Sequence, residues 1–237
     1  MSAHEPDIRA SYDAVASRYA EEFADDLTDK ILDRALLTAF AETVRRTTTG
    51  EGSCVADLGC GPGFEARQLA GLGLDVVGVD LSPAMIGEAQ RRHLPHRRLE
   101  FRVGSLLALP FADAALAGAT AIYSVIHLGR EERARAYAEM ARVVRPGGSL
   151  LISVHTSAAD FPPGSVRRLE SWWGHTVALD GHFIDADEVI AGLAGAGFTI
   201  DARLERGPST AREFPSRRAY LLAMRHIASP PSPPGPV

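Results

Sequence analysis

The residues best suited to do chemistry form one run, Cys54-Val55-Ala56-Asp57-Leu58-Gly59-Cys60-Gly61-Pro62-Gly63. A short apolar stretch ends at an acidic residue and breaks into alternating glycines, and the amphipathic stretch Phe64 to Leu72 follows at once. This pattern predicts a buried strand turning tightly into a helix, the turn stripped of side chains so that a ligand can lie against backbone N–H groups. A second acidic residue, Asp80, closes the next apolar run 17 positions after Gly63, close to the spacing of a strand-turn-helix-strand nucleotide unit. A dinucleotide fingerprint wants Gly-x-Gly-x-x-Gly, whereas the glycines here stand at 59, 61 and 63 and position 64 is Phe. Histidines supply the candidate general bases. His127 and His155 follow the fourth and fifth apolar runs, on the edge of a sheet where ligands bind, and His175 and His182 lie further on.

The elements that must position these groups follow from periodicity. Ile8, Tyr12, Val15, Ala16, Tyr19 and Phe23 recur at three- and four-residue spacing and predict a helix from Ile8 to Phe23. A second helix is predicted from Leu27 to Arg46, with Ile31, Leu32, Leu36, Leu37, Phe40 and Val44 on one face, ended by the Thr/Gly turn at 47–52. Leu74–Val79, Leu99–Val103, Leu116–Tyr123 and Ser149–Val154 read as further strands. A helix capped by Ser82-Pro83 runs to about Arg92, and another spans Glu131 to Val144 before Pro146-Gly147-Gly148. Strands alternating with helices at this spacing indicate a doubly wound parallel sheet. From His155 to His182 the pattern breaks into an irregular segment, read as a cap with Trp172 and Trp173 as its core. A helix from Asp185 to Gly195 and two closing strands, Phe198–Glu205 and Ala219–Met224, complete the chain before a tail, 229–237, with five prolines in nine residues, read as disordered.

The 237 residues are 46% hydrophobic and 23% charged, which fits one α/β domain with a full core. A net charge of −5 argues against a nucleic-acid partner. No apolar run has the length of a membrane span, and the polar start is not a signal peptide, so a cytoplasmic protein is expected. Cys54 and Cys60, the only cysteines, read as small core residues and not as a disulfide or a metal pair, and no metal is expected.

Five motifs in register carry a resemblance. Val55 through Gly63 resembles the first motif of the class I S-adenosylmethionine-dependent methyltransferases. Val79-Asp80-Leu81-Ser82-Pro83-Ala84-Met85 resembles the end of that family's second strand, and Gly104-Ser105 followed by Leu109-Pro110-Phe111 resembles its third-strand loop. Ser124-Val125-Ile126-His127-Leu128 and Arg142-Val143-Val144-Arg145-Pro146-Gly147-Gly148 complete the series, which covers Tyr12 to Arg225. The type resembled is that of small-molecule, ubiquinone-biosynthesis-like methyltransferases.

The resemblance implies a Rossmann-like, doubly wound seven-stranded sheet ordered 3-2-1-4-5-7-6 with strand 7 antiparallel. It implies one methyltransferase domain over 1–228, with a helical lid at 8–46 and a cap insertion at 155–184. The implied cofactor is S-adenosyl-L-methionine, which has no phosphate, and the glycine turn carries no lysine; Lys30 is the only one in the chain. Asp57 would place the amino-acid end of the cofactor, Asp80 the ribose hydroxyls, and Gly59, Cys60, Gly61 and Gly63 would approach the methionine and ribose portions. Leu81 and Met85 would contact adenine, with Gly104, Ser105 and Leu106 at its edge, and Tyr123 and Ser124 near the sulfonium. Tyr12 and Tyr19 would cover the cofactor, and Tyr19 joins His127 and His155 as a catalytic candidate.

The expected reaction is in-line methyl transfer to a small-molecule hydroxyl or amine, by a monomer or homodimer, on an intermediate of natural-product type. Two other classes stay open. An NAD(P)-dependent oxidoreductase is opposed by Phe64 and by the lack of a Tyr-x-x-x-Lys relay. A non-catalytic S-adenosylmethionine-binding protein would keep the glycine turn and lose the acceptor site.

Overall fold

The computed structural model describes residues 4–47 and 54–227; the turn at 48–52 and the Pro-rich tail at 229–237 lie outside the described residues. The apolar runs become β1 (Cys54–Leu58), β2 (Asp75–Asp80), β3 (Leu99–Val103), β4 (Leu116–Ile122) and β5 (Val144–Ala158), all parallel neighbours in the order β3-β2-β1-β4-β5. Both faces of the central strands are covered, which is why β1 and β4 are buried along nearly their whole length and do not alternate. On one face lie α6 (Arg130–Val143) and α7 (Ala186–Gly195), packed through Tyr137, Met140, Val189 and Leu193. On the other lie α3 (Ile31–Thr47), α4 (Phe64–Gly71) and α5 (Pro83–His93), packed through Leu37, Phe40, Leu69 and Ile86.

The closing strands, β8 (Phe198–Arg206) and β9 (Ser216–Arg225), pair antiparallel with each other, and β9 inserts antiparallel beside β5. The seven-stranded order is β3-β2-β1-β4-β5-β9-β8. With the two strands of a separate hairpin set aside, this is the expected 3-2-1-4-5-7-6 order with its last strand antiparallel.

Three local expectations change. The segment from His155 is not irregular: β5 continues to Ala158, and β6 (Val166–Trp172) and β7 (His175–His182) form an antiparallel hairpin. Trp173 and Gly174, with φ of 48° and 82°, make its two-residue turn, the conformation that matches strand twist. β6 is mostly exposed, so no hydrophobic alternation marked it. Second, the stretch from Leu27 splits at Lys30 into a four-residue α2 (Asp26–Asp29) and α3. Ile31 and Leu32 are exposed there, the former 71%, and α3 lies in the core and not in a lid. Third, Pro146-Gly147-Gly148 does not separate helix from strand: β5 starts at Val144, and a register shift against β4 between Leu116 and Gly118 absorbs the irregularity.

What remains of the lid is α1 (Glu5–Glu22). Ile8, Val15 and Ala16 bury against Met85 of α5 and against Val177 and Leu179 of β7. The hairpin and α1 thereby meet over the carboxyl edge of the sheet, where ligands bind in folds of this type.

Candidate active site

A cavity of about 740 Å³ opens at this edge, floored by the glycine turn and the ends of β2, β4 and β5 and roofed by α1 and the hairpin. Gly61 has φ +50° and nothing within 4 Å of where a Cβ would stand, so its backbone faces open space. Gly63 has another purpose. A Cβ there would meet the Phe101 ring at 2.6 Å, and the residue lies outside the cavity lining, in helix–sheet packing. Gly59 and Cys60 line the cavity with Gly61.

Asp80 holds the turn in shape. One carboxylate oxygen accepts from Gly61 N–H and the other from Ser82 N–H, each at 2.8 Å. Burial raises its pKa, and these two N–H groups oppose the rise. Asp57 sits behind the turn and outside the lining. It accepts from the Thr120 hydroxyl at 2.7 Å, while its second oxygen is buried without a partner. Burial, aided by the Glu65 charge, pushes its carboxyl up to about 7. Leu81, Met85, Gly104 and Leu106 line the same end. Ser105 does not: its hydroxyl donates to the Glu5 carboxylate of α1 and accepts from Leu107 N–H at 2.9 Å.

At the end of β4, Tyr123 (φ +51°) and Ser124 line the cavity, and the Ser124 hydroxyl is buried without a partner. The short helical turn that follows presents His127. Its Nδ1 stands 2.8 Å from the Asp180 carbonyl oxygen and therefore carries the proton, so Nε2 presents a lone pair. The Tyr12 hydroxyl, 2.7 Å from Nε2, is the donor to it. Burial lowers the His127 pKa and raises that of Tyr12, so both are neutral at pH 7. Tyr19 meets Tyr12 edge-on at 6.2 Å, and Trp172 meets both at 6.1 and 5.7 Å. Trp172 and Trp173, stacked at 4.7 Å, both line the cavity; Trp172 also packs against the apolar cluster between α1 and the hairpin, whereas Trp173 is exposed.

His155 stacks on Tyr123 at 4.6 Å and bonds Ser216 Oγ through Nδ1 at 2.7 Å. Burial and the neighbouring Arg218 charge push it down to about 3. His182 lines the cavity with Nε2 buried and unpartnered, whereas His175 lies outside it.

Two groups escaped the sequence reading. Asp13 accepts from the Ser82 hydroxyl at 2.5 Å and from Ala84 N–H at 3.1 Å, latching α1 onto the start of α5. It stands one residue after Tyr12, the sole signal available, and an exposed-face carboxylate gives no hint of a partner 69 positions away. The second is a buried charge network. Glu213 bridges Arg206 (2.7 Å) and Arg218 (2.9 Å), and Arg206 reaches Asp33 at 2.6 Å. Tyr220 donates to Asp33 at 2.9 Å and contacts the Tyr123 hydroxyl at 2.6 Å. Burial alone would raise Glu213, but the Arg206 hydrogen bonds and the Arg218 charge hold it at about 2. Among the described residues no cluster of His, Cys, Asp and Glu could hold a metal, and no helix is long and apolar enough to cross a membrane.

Residues 55–148 match the family model of the methyltransferase domain. Over 160 residues the chain is 30% identical to the O-methyltransferase resE of Aspergillus sclerotiorum, a match that covers 62% of this chain and 60% of that protein. The chain thus spans less than two thirds of that relative. Magnesium protoporphyrin IX methyltransferase from Synechocystis PCC 6803, solved with bound SAH, shares the fold at a TM-score of 0.70 and 18% identity, over 93% of this chain and 99% of that one. The 4+2 cyclase SpnF shares it at a TM-score of 0.71 and 19% identity, over 95% and 98%. Likeness at that identity is likeness of fold.

Proposed function

We propose that this chain is a class I S-adenosylmethionine-dependent methyltransferase, a reading supported by the methyltransferase-domain match over 55–148 and by the likeness to the resE O-methyltransferase, and that it methylates a hydroxyl or amine of a small organic acceptor. The observation that carries this reading is the pair His127–Tyr12, both of which line the cavity: His127 is a neutral base whose Nδ1 holds the proton and whose Nε2 lone pair accepts from the Tyr12 hydroxyl. S-adenosylmethionine, when bound, supplies a methyl group made electrophilic by its sulfonium, open to in-line attack by the acceptor.

The residues present suit that cofactor. The bare backbone at Gly61 leaves room for a ligand, and no lysine stands at the turn to ask for phosphate. Glu5, Glu65 and Asp80 line the same end, a negative wall suited to a ligand bearing sulfonium and ammonium charges. Gly59, Cys60, Gly61 and Asp80 would hold the ribose and methionine portions, and Leu81, Met85, Gly104 and Leu106 the adenine. Asp57, with its unpartnered oxygen, would answer the ammonium from behind the turn. Gly63 and Ser105 act indirectly, through helix packing and the tie to α1.

For the proton, Tyr12 is the natural relay. Its O–H already donates to Nε2, and its oxygen can accept from an acceptor hydroxyl, so the proton leaves the acceptor for Tyr12 as the Tyr12 proton moves to His127. His155 is too weak a base at a pKa of about 3, and its stacking on Tyr123 makes it a positioning residue. Tyr19 with Trp172 closes the roof, which excludes water and holds the acceptor in line. Such positioning can supply about 7–11 kcal/mol.

A screen with methyl-labelled S-adenosylmethionine against a metabolite extract tests the reading. Label appearing in a small-molecule product supports it. Cofactor bound with no label transferred in any fraction would favour the non-catalytic binding protein.

A further inference from the structure

The cavity is electrically divided. Its charged lining residues at the β1–β2–β3 end are the carboxylates Glu5, Glu65 and Asp80, whereas the β5–β9 end carries Lys30, Arg167, Arg212 and Arg218 against the one carboxylate Glu213. Glu213 is already shared between Arg218 and Arg206. Arg167 and Arg212 form no ion pair among the described residues; Arg167 lies 5.1 Å over the Phe214 ring.

Three of these cations gather around His155 and Tyr123, and Arg212 lines the same cavity. Arg218 pairs with His155 across the β5–β9 ladder, and its guanidinium stands 5.8 Å from the Tyr123 ring. Phe214, beneath Arg167, meets His155 edge-on at 5.7 Å. The Lys30 charge acts on both Tyr123 and His155, opposing a second positive charge on the imidazole. Around them the wall is aromatic: Phe183 and Phe214 lie 6.3 Å apart, and the Trp172–Trp173 stack closes the roof. Arg167 and Arg212 are exposed, so each draws an anion modestly, and the aromatic wall beside them supplies apolar contact for the body of the same ligand.

Resting on the methyltransferase reading above, we infer that the acceptor is an apolar, ring-bearing molecule with an anionic group, its ring among Phe183, Phe214 and the tryptophans and its charge toward Lys30, Arg167 and Arg212. The division of charge also orders the two ligands: a cationic cofactor is drawn to one end and an anionic acceptor to the other, which sets their relative orientation.

Two fluorescent probes of one shape test this on the full chain saturated with S-adenosylhomocysteine. One is 8-anilinonaphthalene-1-sulfonate, an anion, and the other is N-phenyl-1-naphthylamine, its neutral counterpart. The double variant Arg167→Gln, Arg212→Gln changes two exposed side chains and is expected to weaken the sulfonate about five- to tenfold while moving the neutral probe less than about twofold. An unchanged sulfonate affinity, a parallel loss for both probes, or no sulfonate binding at all would overturn the inference. Calorimetry of S-adenosylhomocysteine alone separates the two levels. Failure there sinks the cofactor reading, whereas cofactor binding without charge discrimination sinks only the acceptor assignment.

Discussion

Tyr12 and His127, 115 positions apart, are joined by a 2.7 Å hydrogen bond between the phenol and Nε2. The bond ties the N-terminal helix to the end of β4, so roof and base are one unit. His127→Ala is expected to lower kcat by about 10²–10⁴-fold, the usual worth of a general base. The affinity for S-adenosylhomocysteine should hold. A variant with full kcat would return His127 to a structural role.

The same pair sets a pH dependence. Neutral His127 is the working form and burial lowers its pKa, so kcat should be level at pH 7 and fall only below the ordinary histidine value of 6.5. Tyr12→Phe removes a donor to the Nε2 lone pair, which favoured the neutral ring. That hydrogen bond is worth about 0.5–1.5 kcal/mol, so the acid limb should move up by as much as about one pH unit while kcat falls. A pH–rate profile of the two proteins measures both effects, and superimposable profiles would exclude the relay.

Gly61→Val is expected to abolish cofactor binding in a folded protein. The new side chain enters open space in the cavity, and its φ of +50° adds strain of roughly 1–2 kcal/mol. Circular dichroism should show a folded chain and calorimetry no heat of binding. Normal binding would move the site elsewhere.

Asp57 should leave a signature in stability. Its carboxyl titrates near 7 in the fold against 3.8 in the open chain, so between those values the folded chain keeps a proton that the unfolded chain has lost. Asp57 therefore contributes a stability that falls as pH rises from about 4 to about 7 and is level above. Asp57→Asn removes that contribution. Urea midpoints should show the parent's stability relative to the variant greater at pH 5 than at pH 8, and the same gap at both values would contradict the assignment.

Glu213 neutralises two buried guanidiniums. Glu213→Ala leaves Arg218 without its carboxylate and Arg206 with Asp33 alone, and should cost roughly 3–5 kcal/mol, read from the denaturant midpoint. A loss under about 1 kcal/mol would mean that water reaches the network.

Local pattern made much of the fold legible. The glycine turn, Asp80 and Ser82-Pro83 all lie within 29 residues of Val55, and their geometry is set by neighbours in sequence. The roof was harder to read. β6 buries almost nothing on either face, so its hairpin depended on a Trp173-Gly174 turn whose first residue is an unusual carrier of positive φ. The links of Tyr12 to His127 and of Asp13 to Ser82 join elements separated by 115 and 69 positions, and only the assembled sheet brings them together. Arg206, Glu213 and Arg218 carried no sequence signal of a buried network: they lie in the closing strands and their loop, and Asp33 on α3, which Arg206 reaches, stands 173 positions away.

The most direct test is a calorimetric titration of the full chain with S-adenosylhomocysteine and, in parallel, with NAD. One S-adenosylhomocysteine per chain, lost in Gly61→Val, with no heat from NAD, is the expected result. Saturable NAD binding with none of S-adenosylhomocysteine would contradict the assignment of this cavity.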